Sequence, residues 1–398
     1  MKEHLFDFDE VLDRKDSFSI KLDYGKRYGA PEDVIPLWVA DMDFKSPPCV
    51  NERIAERSRS GLYGYSDATD EYFESVRSWL DRRYGYKTDV CNIVTSPGVV
   101  FSLYNTISAL TNPGDSVMIQ RPVYYPFGGA IRDLDRMLIN NPLVEKDGRY
   151  EIDFDDFEHQ ISLKRVKLFI FSSPHNPVGR VWSREELARI AEICIRHHVY
   201  VYSDEIHADF MFEGHRHTVL ASISPEIENL TITATSPGKT FNLAGLQIAN
   251  LVITNEELRR RYEAESRRTG YSQPNVMGLI ACKAAYDEGE PWLEALLRYL
   301  TENLNYVRER LAADFPMARF IEPDGTYLLW VDFSAYEQDD RVLGRKFLHD
   351  AGVWLDHGTM FGPEGEGYQR INIACPRAIL EKAFDRMQKL LAIEEPMD

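Results

Sequence analysis

Five cysteines in 398 residues are too few and too scattered for a disulfide framework. Cys49, Cys91, Cys194, Cys282 and Cys375 are also odd in number, and no C-x-x-C pair exists to hold zinc, so no metal is called for. They suit a reducing, cytoplasmic setting. Long apolar runs are missing too. None approaches the roughly 18 residues that a membrane helix needs, and the opening MKEHLFDFDE lacks the apolar core of a signal peptide. Positive charge is in deficit: 46 Lys and Arg against 64 Asp and Glu leave −18, which makes nucleic acid and anionic membrane surfaces poor partners. No G-x-G-x-x-G follows an early strand, so the dinucleotide fingerprint is absent. Nothing repeats at a fixed period and no segment is of low complexity. What is present is an ordinary globular balance, 44% apolar and 28% charged, on a chain long enough for two or three domains.

From about residue 90 to 255, short β-rich runs alternate with helical patterns. Asn92–Thr95, Ser116–Gln120, Lys167–Ser172, Val199–Ser203, Leu230–Thr235 and Ala249–Ile253 read as strands. Several are nearly continuous apolar runs, as in strands buried on both faces. Val99–Leu110 and Arg184–His197 read as helices, the second opened by a capping box of Ser183 and Glu186. This alternation predicts a mostly parallel sheet covered by helices, with ligands at the carboxyl ends of its strands. After residue 290 the pattern changes to a long amphipathic helix, Pro291–Asp314. Strands near Tyr327–Phe333, Val353–Leu355 and Gln369–Ala374 follow, with helices near Arg341–Ala351 and Pro376–Ile393. The expected division is a large domain over 46–290, a smaller α+β domain over 291–398, and an N-terminal segment, 1–45, packing on the smaller one.

The chemistry should then lie in the strand-end loops. Thr235-Ser236-Pro237-Gly238-Lys239-Thr240 ends like a P-loop, but the Gly that a P-loop needs five positions before Gly238 is Thr233. A lysine desolvated at a strand end is instead suited to Schiff-base chemistry. In Thr95-Ser96-Pro97-Gly98-Val99-Val100 a strand turns into a helix whose first N–H groups could face an anion. Ser172-Ser173-Pro174-His175-Asn176-Pro177 braces Asn176 between prolines. Tyr202-Ser203-Asp204-Glu205-Ile206-His207 places Asp204 at a strand end, where a buried carboxylate needs a cationic partner.

Together S-P-x-K-T-F-N-L-A-G, P-H-N-P-x-G and S-D-E-I-H resemble the fold-type I pyridoxal-phosphate enzymes of the class I/II aminotransferase superfamily. More narrowly they resemble its C–S β-lyase branch, of cystathionine β-lyase type. Leu37-Trp38-Val39-Ala40-Asp41-Met42-Asp43-Phe44 and the run Gly367–Arg377 extend the likeness over almost the whole chain. The resemblance implies a three-layer αβα large domain with a smaller α+β C-terminal domain, pyridoxal 5'-phosphate as cofactor, an amino-acid substrate, and a homodimer with shared sites. By the same resemblance Lys239 would hold the cofactor as a Schiff base and shuttle the Cα proton. Asp204 would pair with the pyridine nitrogen, Asn176 would donate to the phenolic oxygen, and Tyr124 would stack on the ring. Gly98, Val99, Val100 and the Ser236 hydroxyl would hold the phosphate, with Tyr65 reaching the neighbouring subunit's phosphate. Arg370 would clamp the substrate carboxylate, helped by the loop at Ala40 and by Asn176.

Two positions depart from the aminotransferase pattern, which carries Arg eight residues after the Schiff-base lysine and Tyr three residues after the pyridine Asp. Here they are Gln247 and His207, as in the C–S lyase branch. The expected reaction is therefore α,β-elimination from cystathionine or a related cysteine S-conjugate. Transamination is the alternative, and a regulatory protein that merely retains the fold is a third reading.

Overall fold

The computed structural model describes residues 6–391. Seven strands form the main sheet: β1 (Ile93–Ser96), β2 (Ser116–Ile119), β3 (Met137–Asn140), β4 (Leu168–Ser172), β5 (Tyr200–Asp204), β6 (Thr231–Thr235) and β7 (Ala249–Val252). Their order is β1-β7-β6-β5-β4-β2-β3. Only β7 runs against its neighbours; the other pairings are parallel. Period-2 alternation of buried residues explains the layers. Phe169 and Phe171 of β4 pack on one side with Leu187 and Ile190 of the helix Arg184–His197. Leu168 and Ile170 pack on the other side with Leu103 and Ile107 of the helix Val99–Leu110. This is the expected α/β sandwich. The six strands read from sequence fall within one residue of their expected bounds. Both helices match, and the Ser183–Glu186 capping box is formed. β3 was not read from sequence; it is an edge strand with no buried residue, so no apolar run marks it.

The last hundred residues build a second sheet on the helix Glu290–Asp314. β8 (Arg319–Ile321), β9 (Leu328–Asp332), β10 (Asp356–His357) and β11 (Tyr368–Asn372) lie in the order β8-β9-β11-β10, all antiparallel. The strand read at Val353–Leu355 stands outside this sheet. Val353–Trp354 pairs in parallel with Ile35–Pro36, and only Asp356–His357 joins the sheet. The helix near Arg341–Ala351 is α-helical only over Asp340–Lys346 and closes in a π turn, Phe347–Ala351. The final helix is described over Arg377–Leu391; the expected end at Ile393 lies outside the described residues, as do the first five residues of the opening segment.

The early chain threads between the two sheets. Ile35 and Leu37 donate to the carbonyls of Gly352 and Trp354 at 2.8 and 2.9 Å, and Trp38 stacks on Trp354 with ring centroids 4.3 Å apart. One apolar core spans Leu37, Phe44, Trp79, Trp292, Phe333 and Phe384. Among the described residues no helix is long and apolar enough to cross a membrane.

Candidate active site

Parallel strands deliver their carboxyl ends to one edge of the sheet, so the loops after β1, β2, β4, β5 and β6 meet there. They enclose a cavity of about 330 Å³ lined by Ala40, Gly98, Val99, Val100, Tyr124, Asn176, Asp204, His207, Ser236, Lys239 and Arg370. Every site residue read from sequence lies on its wall except Tyr65. That side chain is 95% exposed and sits in a separate surface hollow beside Gln273 and Pro274.

Lys239 lies in the single turn Pro237–Thr240 that Ser236 caps. Its Nζ donates to the Ala40 carbonyl at 2.5 Å, which also accepts from Tyr327 Oη at 2.9 Å. The residue lines the cavity, and burial lowers the amine from 10.5 to about 8. Asp204 closes β5. Burial raises its carboxyl from 3.8 to about 7, against the Ile206 N–H at 3.2 Å and the Lys239 charge. No cationic side chain bonds it among the described residues. His207 is buried, its Nδ1 without a partner, and burial with the nearby Lys239 and Arg370 charges holds the ring neutral, well below its ordinary pKa.

The helix Val99–Leu110 begins at Gly98 with no side-chain cap, leaving its first N–H groups to face the cavity. Ser236 Oγ donates to the Ile248 carbonyl at 2.7 Å and accepts from Gly238 N–H at 2.9 Å, so its hydrogen is committed to backbone here. Tyr124 donates its N–H to the Asn176 carbonyl at 3.1 Å, which ties the loop after β2 to the loop after β4. Asn176 Oδ1 accepts from Arg370 Nη1 at 3.1 Å, which leaves its Nδ2 to serve a ligand.

Arg370 sits in β11 opposite Asp356 of β10. Its Nη2 donates to the Trp38 carbonyl at 2.8 Å and forms an ion pair with Asp356, and its guanidinium lies 4.8 Å from the Phe361 ring centroid. The loop carrying Trp38 and Ala40 is pinned along its length. Asn372 Nδ2 bonds the carbonyls of Val39 and Asp41, each at 2.7 Å, and Asn242 Nδ2 bonds those of Met42 and Phe44, each at 2.9 Å. Arg14 and the buried Lys21 pair with Asp41 and Asp43. Asp356, Tyr327 and Phe361 were given no role from the sequence, and Trp38 was read only as part of the run Leu37–Phe44. Asp356 stands in Trp354-Leu355-Asp356-His357-Gly358, outside the motifs that carried the resemblance, and only the register β10–β11 joins it to Arg370.

A strand-end lysine, a buried strand-end carboxylate and an arginine from a second sheet in one cavity define an α/β enzyme that handles a small polar ligand. The chain belongs to the aminotransferase class I and II family, whose profile matches residues 32–387. It is 40% identical over 386 residues to cystathionine beta-lyase PatB of Bacillus subtilis (strain 168), a match that covers 97% of this chain and 100% of that protein. Cystalysin from Treponema denticola, whose structure contains a pyridoxal 5'-phosphate cofactor, superposes with a TM-score of 0.95 at 36% identity, over 98% of this chain and 99% of that one. The PLP-bound C-S lyase from Staphylococcus hominis superposes with a TM-score of 0.92 at 35% identity, over 98% of each chain.

Proposed function

We propose that this chain is a pyridoxal 5'-phosphate-dependent carbon–sulfur β-lyase. It cleaves L-cystathionine or a related cysteine S-conjugate, with water, into a thiol, pyruvate and ammonia. The observation that carries the reading is the pairing in one cavity of a buried carboxylate, Asp204, that no cation bonds among the described residues, and an amine, Lys239, whose pKa burial lowers to about 8.

The cavity fits the cofactor by its own chemistry. A protonated pyridine nitrogen relieves the burial of Asp204. The uncapped helix start at Gly98, Val99 and Val100 suits a phosphate dianion, and Ser236 joins it by turning its hydroxyl from Ile248. Tyr124 offers a ring face, Asn176 Nδ2 a donor for the phenolic oxygen, and His207 a neutral ring beside them. Bound there, pyridoxal phosphate supplies an aldehyde that condenses with an amine and a ring that withdraws electrons from the substrate Cα. Lys239, with a pKa of about 8, has an unprotonated fraction at neutral pH, so it would be the amine to hold that aldehyde and the base to carry the proton taken from Cα. Asp204 would hold the proton on the ring nitrogen. Arg370 and Asn176 receive the α-carboxylate, and the Ala40 carbonyl orients the amine that meets it. Loss of the α-proton drives out a thiolate at Cβ.

The same reading makes the enzyme a cytoplasmic homodimer, each subunit having a large domain over 46–290, a smaller one over 291–398 and the segment 1–45 packed on the smaller one, with Tyr65 serving the neighbour's phosphate site from outside its own cavity. The deciding test is to incubate cofactor-loaded protein with L-cystathionine and no keto acid. Release of pyruvate, ammonia and homocysteine over many turnovers is expected, whereas L-alanine, which has no leaving group at Cβ, should give at most one pyruvate per cofactor. Turnover that needs an added keto acid would make the protein an aminotransferase instead.

A further inference from the structure

Arg370 is already engaged on most of its donors, and one of its partners is an anion. Nη1 is held by Asn176 Oδ1 and Nη2 by the Trp38 carbonyl and Asp356, while the buried Nε has no acceptor among the described residues. Asp356 and Arg370 are each 3% exposed, face each other across β10 and β11, and line the same cavity. No other donor bonds the Asp356 side chain among the described residues. A carboxylate held by an arginine fork needs two parallel N–H groups. Nε and the second N–H of Nη1 are open, but each parallel pair of the guanidinium also needs Nη2, whose two N–H groups are held by Trp38 and Asp356, so an incoming carboxylate completes a fork by taking the donor that Asp356 now holds.

We propose that Asp356 is the resident counter-ion of Arg370: it occupies the place of the substrate α-carboxylate in the free enzyme and is displaced by it. The proposal rests on Arg370 being the carboxylate site of the reading above. Its use is discrimination. A neutral ion pair is a poor trap for simple anions, which must displace Asp356 on charge alone, whereas an amino acid is also captured through its amine. A single buried guanidinium between two carboxylates favours protonation of one of them. Asp356 is the candidate, because burial already lifts its carboxyl above the ordinary range against the pull of Arg370. The other titratable groups facing it are His357 beside it on β10, and Tyr124 and Tyr125 after β2. Burial raises both tyrosines, so they stay neutral through the range concerned.

The test uses cofactor-loaded enzyme and 3-(methylthio)propionate, a carboxylate without an amine, titrated by calorimetry from pH 6 to 8.5. Wild type should bind it more tightly as the pH falls and take up a proton, seen as a dependence of the heat on buffer ionisation. Asp356→Asn should bind it at least tenfold more tightly at pH 8 and lose that proton uptake, while Asp356→Glu should keep weak binding. In turnover, Asp356→Asn should lower KM more than it changes kcat. Equal or weaker binding by Asp356→Asn, or no proton uptake by wild type, would overturn the proposal; the second measurement needs no variant to fold. Probe binding unchanged in Arg370→Lys would overturn the carboxylate-site reading itself. Failure to cleave any cysteine thioether would leave the binding series standing, so the two failures are distinguishable.

Discussion

Replacing Asp204 with Asn removes a buried charge while keeping size and an acceptor for the Ile206 N–H, and its effect should change sign with the cofactor. In the cofactor-free protein, burial raises the carboxyl from 3.8 to about 7. The folded state therefore holds this proton more tightly than the unfolded chain. The contribution to stability is fully present below about pH 4 and is lost as the pH rises through about 7, beyond which the ionised form costs about 4 kcal/mol. Asparagine carries no such cost. Cofactor-free Asp204→Asn should thus exceed wild type by about 2–4 kcal/mol at pH 8, and the gap should close by pH 4 to 5. Urea unfolding of both proteins at several pH values measures this directly. With cofactor bound the order reverses in function: the ring nitrogen loses its anionic partner, and kcat should fall more than a hundredfold, about 3 kcal/mol of transition-state stabilisation. A cofactor-free variant no more stable than wild type at pH 8, or near-normal kcat in the loaded one, would show that Asp204 is not the buried anion this reasoning requires.

Lys239→Ala should lose the borohydride-reducible link to pyridoxal phosphate. In wild type the second-order rate of cofactor attachment should climb with pH and level off above about 8, the pKa to which burial lowers the amine, rather than near 10.5; stopped-flow absorbance reads this. Arg370→Lys should lower kcat/KM for all amino-acid substrates by about ten- to a hundredfold, since a point charge cannot reproduce the fork and a charge-assisted contact of this kind is worth roughly 1.5–3 kcal/mol. Once Tyr65→Phe is shown to be severely impaired, mixing it with Lys239→Ala should restore some activity, because one hybrid site then carries both original residues. A fully active monomer by ultracentrifugation would remove the shared-site reading.

Much of this protein was legible because its information is local. Strands buried on both faces announce themselves as apolar or β-branched runs whichever way they point, which is why β2 and β4 to β7, and with them the half-buried β1, could be read to within a residue. The Ser183–Glu186 box fixed a helix start through side-chain to backbone bonds three residues apart. The strand-end loops carry short motifs, and the parallel arrangement alone brings Gly98, Asn176, Asp204 and Lys239 to one edge of the sheet. Edge strand β3 and the short strand β8 stayed hidden, since a strand with an exposed face and few residues leaves no distinctive pattern.

Tertiary structure decided the rest, because those features depend on residues far apart in sequence. Ile35–Pro36 finds Val353–Trp354 across more than three hundred positions, a pairing that no local propensity encodes. The Ala40 carbonyl meets Lys239 Nζ because side chains from 14, 21, 242 and 372 pin its loop. Asp356 meets Arg370 through the register of two short antiparallel strands; a slip of one residue would turn its carboxylate to the other face. The shifts of Lys239 to about 8 and of Asp204 to about 7 arise from burial, which no residue possesses until the chain closes around it. Residue types and local spacing set which groups could do chemistry here; packing set their charge states and their partners.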